Sequence, residues 1–171
     1  MKTQTLTNFL LPFLLFFICI QCETVEPNED LGPLVYSNSF ESTQDTVGWT
    51  GYGGRVLKND APPGGGKRSL LVSGGCVVPH ACYEMKISGG GRFVLRCWGK
   101  NLALGGEVGL RVKNARCPGI GITVTDTVWT HYRPSDTLFC PTSDTVQLLL
   151  NSGGIVASAM LVDVIEIIKV N

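Results

Sequence analysis

Residues 91–113 read GRFVLRCWGKNLALGGEVGLRVK, and the alternation inside this stretch decides the fold class. Side chains on a strand point to opposite faces in turn, so Phe93, Leu95 and Cys97 form an apolar set, while Arg92, Val94, Arg96, Trp98 and Lys100 form a mixed one. The first set faces a core and the second faces out. Past Gly105 and Gly106 the period returns, with Val108, Leu110 and Val112 inward and Glu107, Gly109 and Arg111 outward. Further along, TVQLLLN at 145–151 turns Val146, Leu148 and Leu150 in and Gln147, Leu149 and Asn151 out.

Short runs of this kind, rich in Val, Ile, Thr and aromatics, recur about every ten residues between glycine-rich turns. Strands are predicted at about 35–40, 54–58, 68–73, 80–87, 92–100, 106–113, 120–125, 128–133, 145–151 and 160–169. DAPPGGGK, SGGC, SGGG, CPGIG and NSGG mark the turns, where glycine takes positive φ without steric cost. Met160, Leu161, Val164, Ile165 and Ile168 also fit a helical face. The crowding of β-branched residues in LVDVIEIIKV favours a buried strand instead. The expected fold is all-β, a two-sheet antiparallel sandwich of the jelly-roll kind over 34–171.

Composition narrows the function classes. Of 171 residues 21 are Gly, and charged residues are only 16%, so the chain is turn-rich and weakly charged. Lys plus Arg balance Asp plus Glu at 14 each, and losing Lys2 with an N-terminal signal leaves 13 against 14. No basic field attracts nucleic acid, and no polybasic patch holds an anionic membrane.

No charge interrupts the chain between Lys2 and Glu23, and residues 9–20 read FLLPFLLFFICI. That is signal-peptide length, too short for a spanning helix. The expectation is an exported protein with a signal peptide over 1–21. An apolar core ending in a Cys, followed by CETVEPNEDLG, resembles a bacterial lipoprotein signal. That resemblance implies lipidation at Cys22 and an extended tether over 22–33. The protein is then a surface or outer-membrane lipoprotein whose only membrane contact is its anchor, or is secreted. It is expected to be a monomer. Five cysteines remain. Cys76 with Cys82 and Cys117 with Cys140 are candidate disulfides, and Cys97 is the expected unpaired thiol.

The outward sets of the three strands first quoted combine aromatic, hydrogen-bonding and small residues. Placed in one sheet they make a platform suited to a sugar, whose C–H face stacks on an aromatic ring and whose hydroxyls need donors and acceptors. Trp98 is the expected stacking residue, with Trp49, Tyr52 and Trp129 as loop or rim candidates and Arg96, Arg111, Gln147 and Asn151 as polar partners. For Trp129 core packing is the favoured role.

NSFES, GWTGYGG, DAPPGGGKRSLLVSG, GGGRFVLRCWGKN, ITVTDTVWTHY and LVDVIEI, in that order, resemble carbohydrate-binding modules of the families-4-and-9 type. The resemblance implies a galactose-binding-domain-like jelly roll that binds poly- or oligosaccharide without catalysis. It also implies a structural calcium site at Glu41 and Asp163, completed by backbone oxygens near Ser39 and along the bend from Lys67 to Ser69. Val164 stands where the family usually shows a second Asp, and Cys76, Cys82, Cys117 and Cys140 lie outside its pattern. Enzymatic readings find little support, since GxSxG is absent and Glu84, Glu107 and Asp126 carry no motif around them. The competing reading is an accessory or protein-binding lipoprotein with no glycan ligand.

Overall fold

The computed structural model describes residues 31–51, 56–74, 81–113, 115, 119–152 and 157–170. Cys22, Tyr52, Cys76 and Cys117 lie outside them. The chain runs as twelve strands: β1 (Leu31–Asn38), β2 (Trp49–Thr50), β3 (Val56–Lys58), β4 (Ser69–Ser73), β5 (Ala81–Ile87), β6 (Gly91–Ala103), β7 (Gly106–Val112), β8 (Ile120–Val124), β9 (Thr130–Tyr132), β10 (Leu138–Cys140), β11 (Asp144–Asn151) and β12 (Ala159–Val170). The segment that fits either period is therefore a strand. β2 and β10 have no predicted counterpart, and β1 begins at Leu31, four residues before the expected start.

The strands form two antiparallel sheets. One has five strands in the order β2-β5-β11-β7-β8. The other has seven and is centred on β12, which pairs with β6 over most of its length and with β1 and β4 on its other edge. Between the sheets lie Phe40, Phe93, Leu95, Leu110, Leu148, Leu150, Ile165 and Ile167, all fully buried. The inward sets read from the sequence are these core residues.

The step from β6 to β7 was expected to stay in one sheet. Instead it crosses between sheets. Leu104 and Gly105 both take positive φ, 57° and 70°, and the Gly105 amide donates to Asn101 Oδ1 at 2.8 Å. A Cβ on Gly105 would come within 2.7 Å of the Val124 carbonyl oxygen, so only glycine turns this corner.

A second irregularity sits in β12. Val164 takes φ +43°, a position β-branched side chains rarely hold, and the register with β6 slips between Asp163 and Glu166. This bulge leaves Val162 and Ile165 both facing the core.

Cys82, Cys97 and Cys140 are free thiols. The disulfides considered for Cys82 and Cys140 are thus not formed. Cys140 is buried and donates to the Thr142 carbonyl oxygen, while Cys82 stands on the outer face of β5. Cys97 is also unpaired, and burial pushes its thiol up to about 12.

Candidate functional site

The outer face of the five-stranded sheet holds a trench. Cross-strand register places Thr50, Cys82, Leu149, Gly109 and Gly121 in one row running across all five strands. The depression itself lies at the β11, β7 and β8 end of this row. Two rows flank this floor, each about 7 Å away along the strands. On one side stand Asn151, Glu107 and Thr123, and on the other Glu84, Gln147 and Arg111. Where Gly109, Gly119, Gly121, Leu149, Glu107, Arg111 and Asn151 meet, the depression holds about 200 Å³.

One wall is held by a hydrogen-bonded ladder. Arg111 Nε donates to Gln147 Oε1 at 2.8 Å, and Gln147 Nε2 donates to Glu84 Oε1 at 2.7 Å. Lys113 Nζ pairs with Glu84 Oε2 at 2.7 Å. These contacts fix the Gln147 amide and hold the Glu84 carboxyl below its ordinary value, the Lys113 bond contributing most. In the other wall Asn151 Oδ1 is buried without a hydrogen-bond partner.

At Gly109 the floor is glycine for a reason that packing does not supply. A Cβ on Gly109 would meet nothing nearer than 3.8 Å, and its φ is not positive. Glycine inside a strand weakens it and often marks close approach by a ligand. Gly121, opposite it, has the Glu107 carboxylate lying over it, with Oε1 2.4 Å from where a Cβ would stand.

The expected platform is not assembled. Trp98 and Arg96 lie on β6 in the seven-stranded sheet, so they face away from the opposite side of the sandwich to Arg111, Gln147 and Asn151. The Trp98 ring stands 5.3 Å from that of His131. Trp49 is not at a rim. It is 2% exposed, packed against Phe40 and Tyr83 with ring centroids 5.7 and 5.5 Å apart. The physical reason is β2 itself, whose pairing with β5 sets Trp49 opposite Tyr83 and turns it inward. Trp129 is half-buried, its Nε1 donating to Asp60 Oδ1 at 2.8 Å. Gly109, Glu107 and Glu84 line this face although the sequence reading gives them no binding role. The outward glycine in EVGLRV was their signal.

Glu41 and Asp163 meet at the glycine loop before β4. Glu41 accepts the Lys67 amide at 3.0 Å and the Arg68 amide at 3.3 Å. A Cβ on Gly66 would overlap the Glu41 carboxylate, and one on Gly65 would come within 2.7 Å of Asp163 Oδ2. Asp163 is fully buried; Oδ1 accepts the Val164 amide at 2.8 Å, and Oδ2 has no partner. Burial, with a smaller push from Glu41, raises its carboxyl to about 7. Ser69, expected near this shell, donates its hydroxyl to the Asp60 carbonyl oxygen at 2.5 Å, and the 67–68 backbone presents amides to Glu41. Ser39 sits just past β1. Among the described residues no cluster of three or more His, Cys, Asp or Glu side chains gathers to hold a metal.

Comparison with solved structures returns carbohydrate-binding modules. The xylan-binding family 22 module of Paenibacillus barcinonensis Xyn10C superposes with a TM-score of 0.56 at 20% identity, covering 82% of this chain and 96% of that one. The fold is that of the carbohydrate-binding jelly rolls. A second family 22 xylan-binding domain gives 0.52 at 14% identity over 85% of this chain and 97% of its own. The family 6 module of Cellvibrio mixtus lichenase 5A, solved with cellotriose, gives 0.51 at 13% over 81% and 100%. No family model and no curated protein matches the sequence.

Proposed function

We propose that the chain binds a poly- or oligosaccharide without cleaving it, and that the sugar lies in the trench floored by Gly109, Gly121 and Leu149. The observation that carries this reading is Gly109, a strand-interior glycine that no packing contact requires, set at the floor of a polar-walled depression. That the similar solved structures are xylan-binding modules and a cellotriose-bound module supports it. Glu84 does not suit the role of a glycosidase acid, since Lys113 and Gln147 favour its ionised form and that role needs a raised value. Native electrophoresis through gels containing a panel of polysaccharides tests the reading. Wild-type protein should be retarded by at least one polymer and Gly109→Val by none.

The second part of the proposal is a structural calcium ion held by Glu41 and Asp163. Its support is the orphaned, buried Asp163 Oδ2, the carboxylate pair and the glycines that leave room around both. Calcium takes six to eight oxygens, so carbonyls or waters must add to these two side chains. The ion would cancel the repulsion between the carboxylates and tie the 62–67 loop to β12. Export and lipidation at Cys22 belong to the same proposal, on the strength of residues 9–20 and the cysteine that follows. Mass spectrometry of the mature N-terminus tests both.

A further inference from the structure

The trench carries a chemical bias that sugar binding alone does not require. Among the described residues no aromatic side chain alternates onto the outer face of the five-stranded sheet, where Thr50, Cys82, Glu84, Lys86, Glu107, Arg111, Thr123, Thr145, Gln147, Leu149 and Asn151 stand. Among the described residues no ring is placed there to stack on a neutral sugar, and polar and charged groups line the face instead.

Charge is unevenly placed. Arg111 is exposed in the wall, and among the described residues its hydrogen bond runs from Nε to the neutral amide of Gln147. The carboxylate next along the ladder, Glu84, is already taken by Lys113 and Gln147. Among the described residues the terminal guanidinium nitrogens thus keep their donors. Beyond this wall lies a polar hollow of about 390 Å³ lined by Lys86, Ser88, Ser143, Asp144 and Thr145. Arg111, Lys113 and Lys86 face Glu84 and Asp144 along this flank, while Glu107 lines the same depression from the opposite wall, so the cations are gathered on the Arg111 side.

We propose that the trench takes an acidic polysaccharide, with a uronate carboxylate or a sulfate ester docked on the terminal guanidinium nitrogens of Arg111 and a sugar ring lying over Gly109. The inference rests on the trench being the glycan site. Glu107, in the opposite wall, repels an anion and accepts sugar hydroxyls, so the acidic group faces Arg111. A planar fork of donors suits either oxyanion.

The test is affinity electrophoresis of the full chain in alginate, polygalacturonate, a glucuronate-bearing xylan and a sulfated galactan. Each is run beside its neutral counterpart, methyl-esterified, carboxyl-reduced or desulfated. At least one acidic polymer should retard the protein while its neutral form does not, and which polymer does so separates carboxylate from sulfate. Arg111→Gln should weaken that binding roughly tenfold to a hundredfold at an unchanged melting temperature, the loss expected for charge-assisted hydrogen bonds. Glu107→Gln, which removes the repelling charge and keeps an acceptor for sugar hydroxyls, should tighten it, and weaker binding would overturn the orientation. Equal retardation by acidic and neutral forms, unmoved by Arg111→Gln but abolished by Gly109→Val, overturns the acidic preference and leaves the trench standing. Retardation by acidic polymers that survives Gly109→Val is nonspecific ion pairing and also overturns it. No retardation in any gel removes the glycan reading, and this inference with it.

Discussion

Replacing Gly109 separates what the fold needs from what the ligand needs. A Cβ there reaches only ordinary contact distances, 3.8 Å to the Ile120 carbonyl oxygen, 3.8 Å to Leu149 Cβ and 4.0 Å to Glu107 Oε1. Gly109→Ala therefore introduces no clash, and it removes the conformational freedom that glycine gives the unfolded chain, a gain of about 0.5–1 kcal/mol. For a domain of this size that raises the melting temperature by a few degrees. The same methyl stands on the trench floor, where it lifts a sugar ring off its contacts, so affinity should fall at least about tenfold. Gly109→Val extends two more carbons into the depression and should abolish binding while the fold survives. Thermal unfolding paired with polysaccharide-retarded electrophoresis reads both effects on the same samples. Destabilisation by Ala refutes the argument that the fold does not need this glycine. Full binding by both variants refutes the trench.

Trp98→Ala should leave glycan binding unchanged, because its ring lies on the far sheet, whereas Phe93→Ala, fully buried, should cost about 3–5 kcal/mol and unfold much of the protein. Added calcium should raise the melting temperature of the wild type, by about 2.7 kcal/mol of stability at a hundredfold excess over Kd, and leave Asp163→Ala unmoved. In calcium-free protein Asp163 holds its proton more tightly folded, at about 7, than unfolded, at 3.8. Stability should then fall as pH rises from about 4 to about 7; calcium, which needs the ionised carboxylate, should flatten or reverse that slope. A bound oligosaccharide should protect Cys82, on the trench floor, from slow alkylation mapped by peptide mass, while Cys97 stays inert throughout.

Strand period carried most of the architecture. Phe93, Leu95, Cys97, Val108, Leu110, Val112, Val146, Leu148 and Leu150 all face the core as alternation predicts, because period 2 is a local property of the extended backbone. Sheet membership is not local. Whether β6 and β7 share a sheet depends on the corner at Leu104 and Gly105, where one close approach to the Val124 carbonyl oxygen diverts the chain. That single corner moved Trp98 away from Arg111. Trp49 was misplaced for a similar reason: a two-residue strand is too short to show a period, and only its pairing with Tyr83 turns it inward. The Glu41 and Asp163 pair was legible only through family resemblance, since 121 residues of chain separate the two side chains and the bulge at Val164 has no sequence signal.

The most direct test of the account is a map of amide chemical-shift changes on isotope-labelled protein titrated with an oligosaccharide from whichever polymer retards it. Shifts concentrated at Gly109, Gly121, Leu149, Arg111, Gln147 and Asn151 are predicted. Shifts concentrated around Trp98 and His131, with the five-stranded sheet silent, would contradict it.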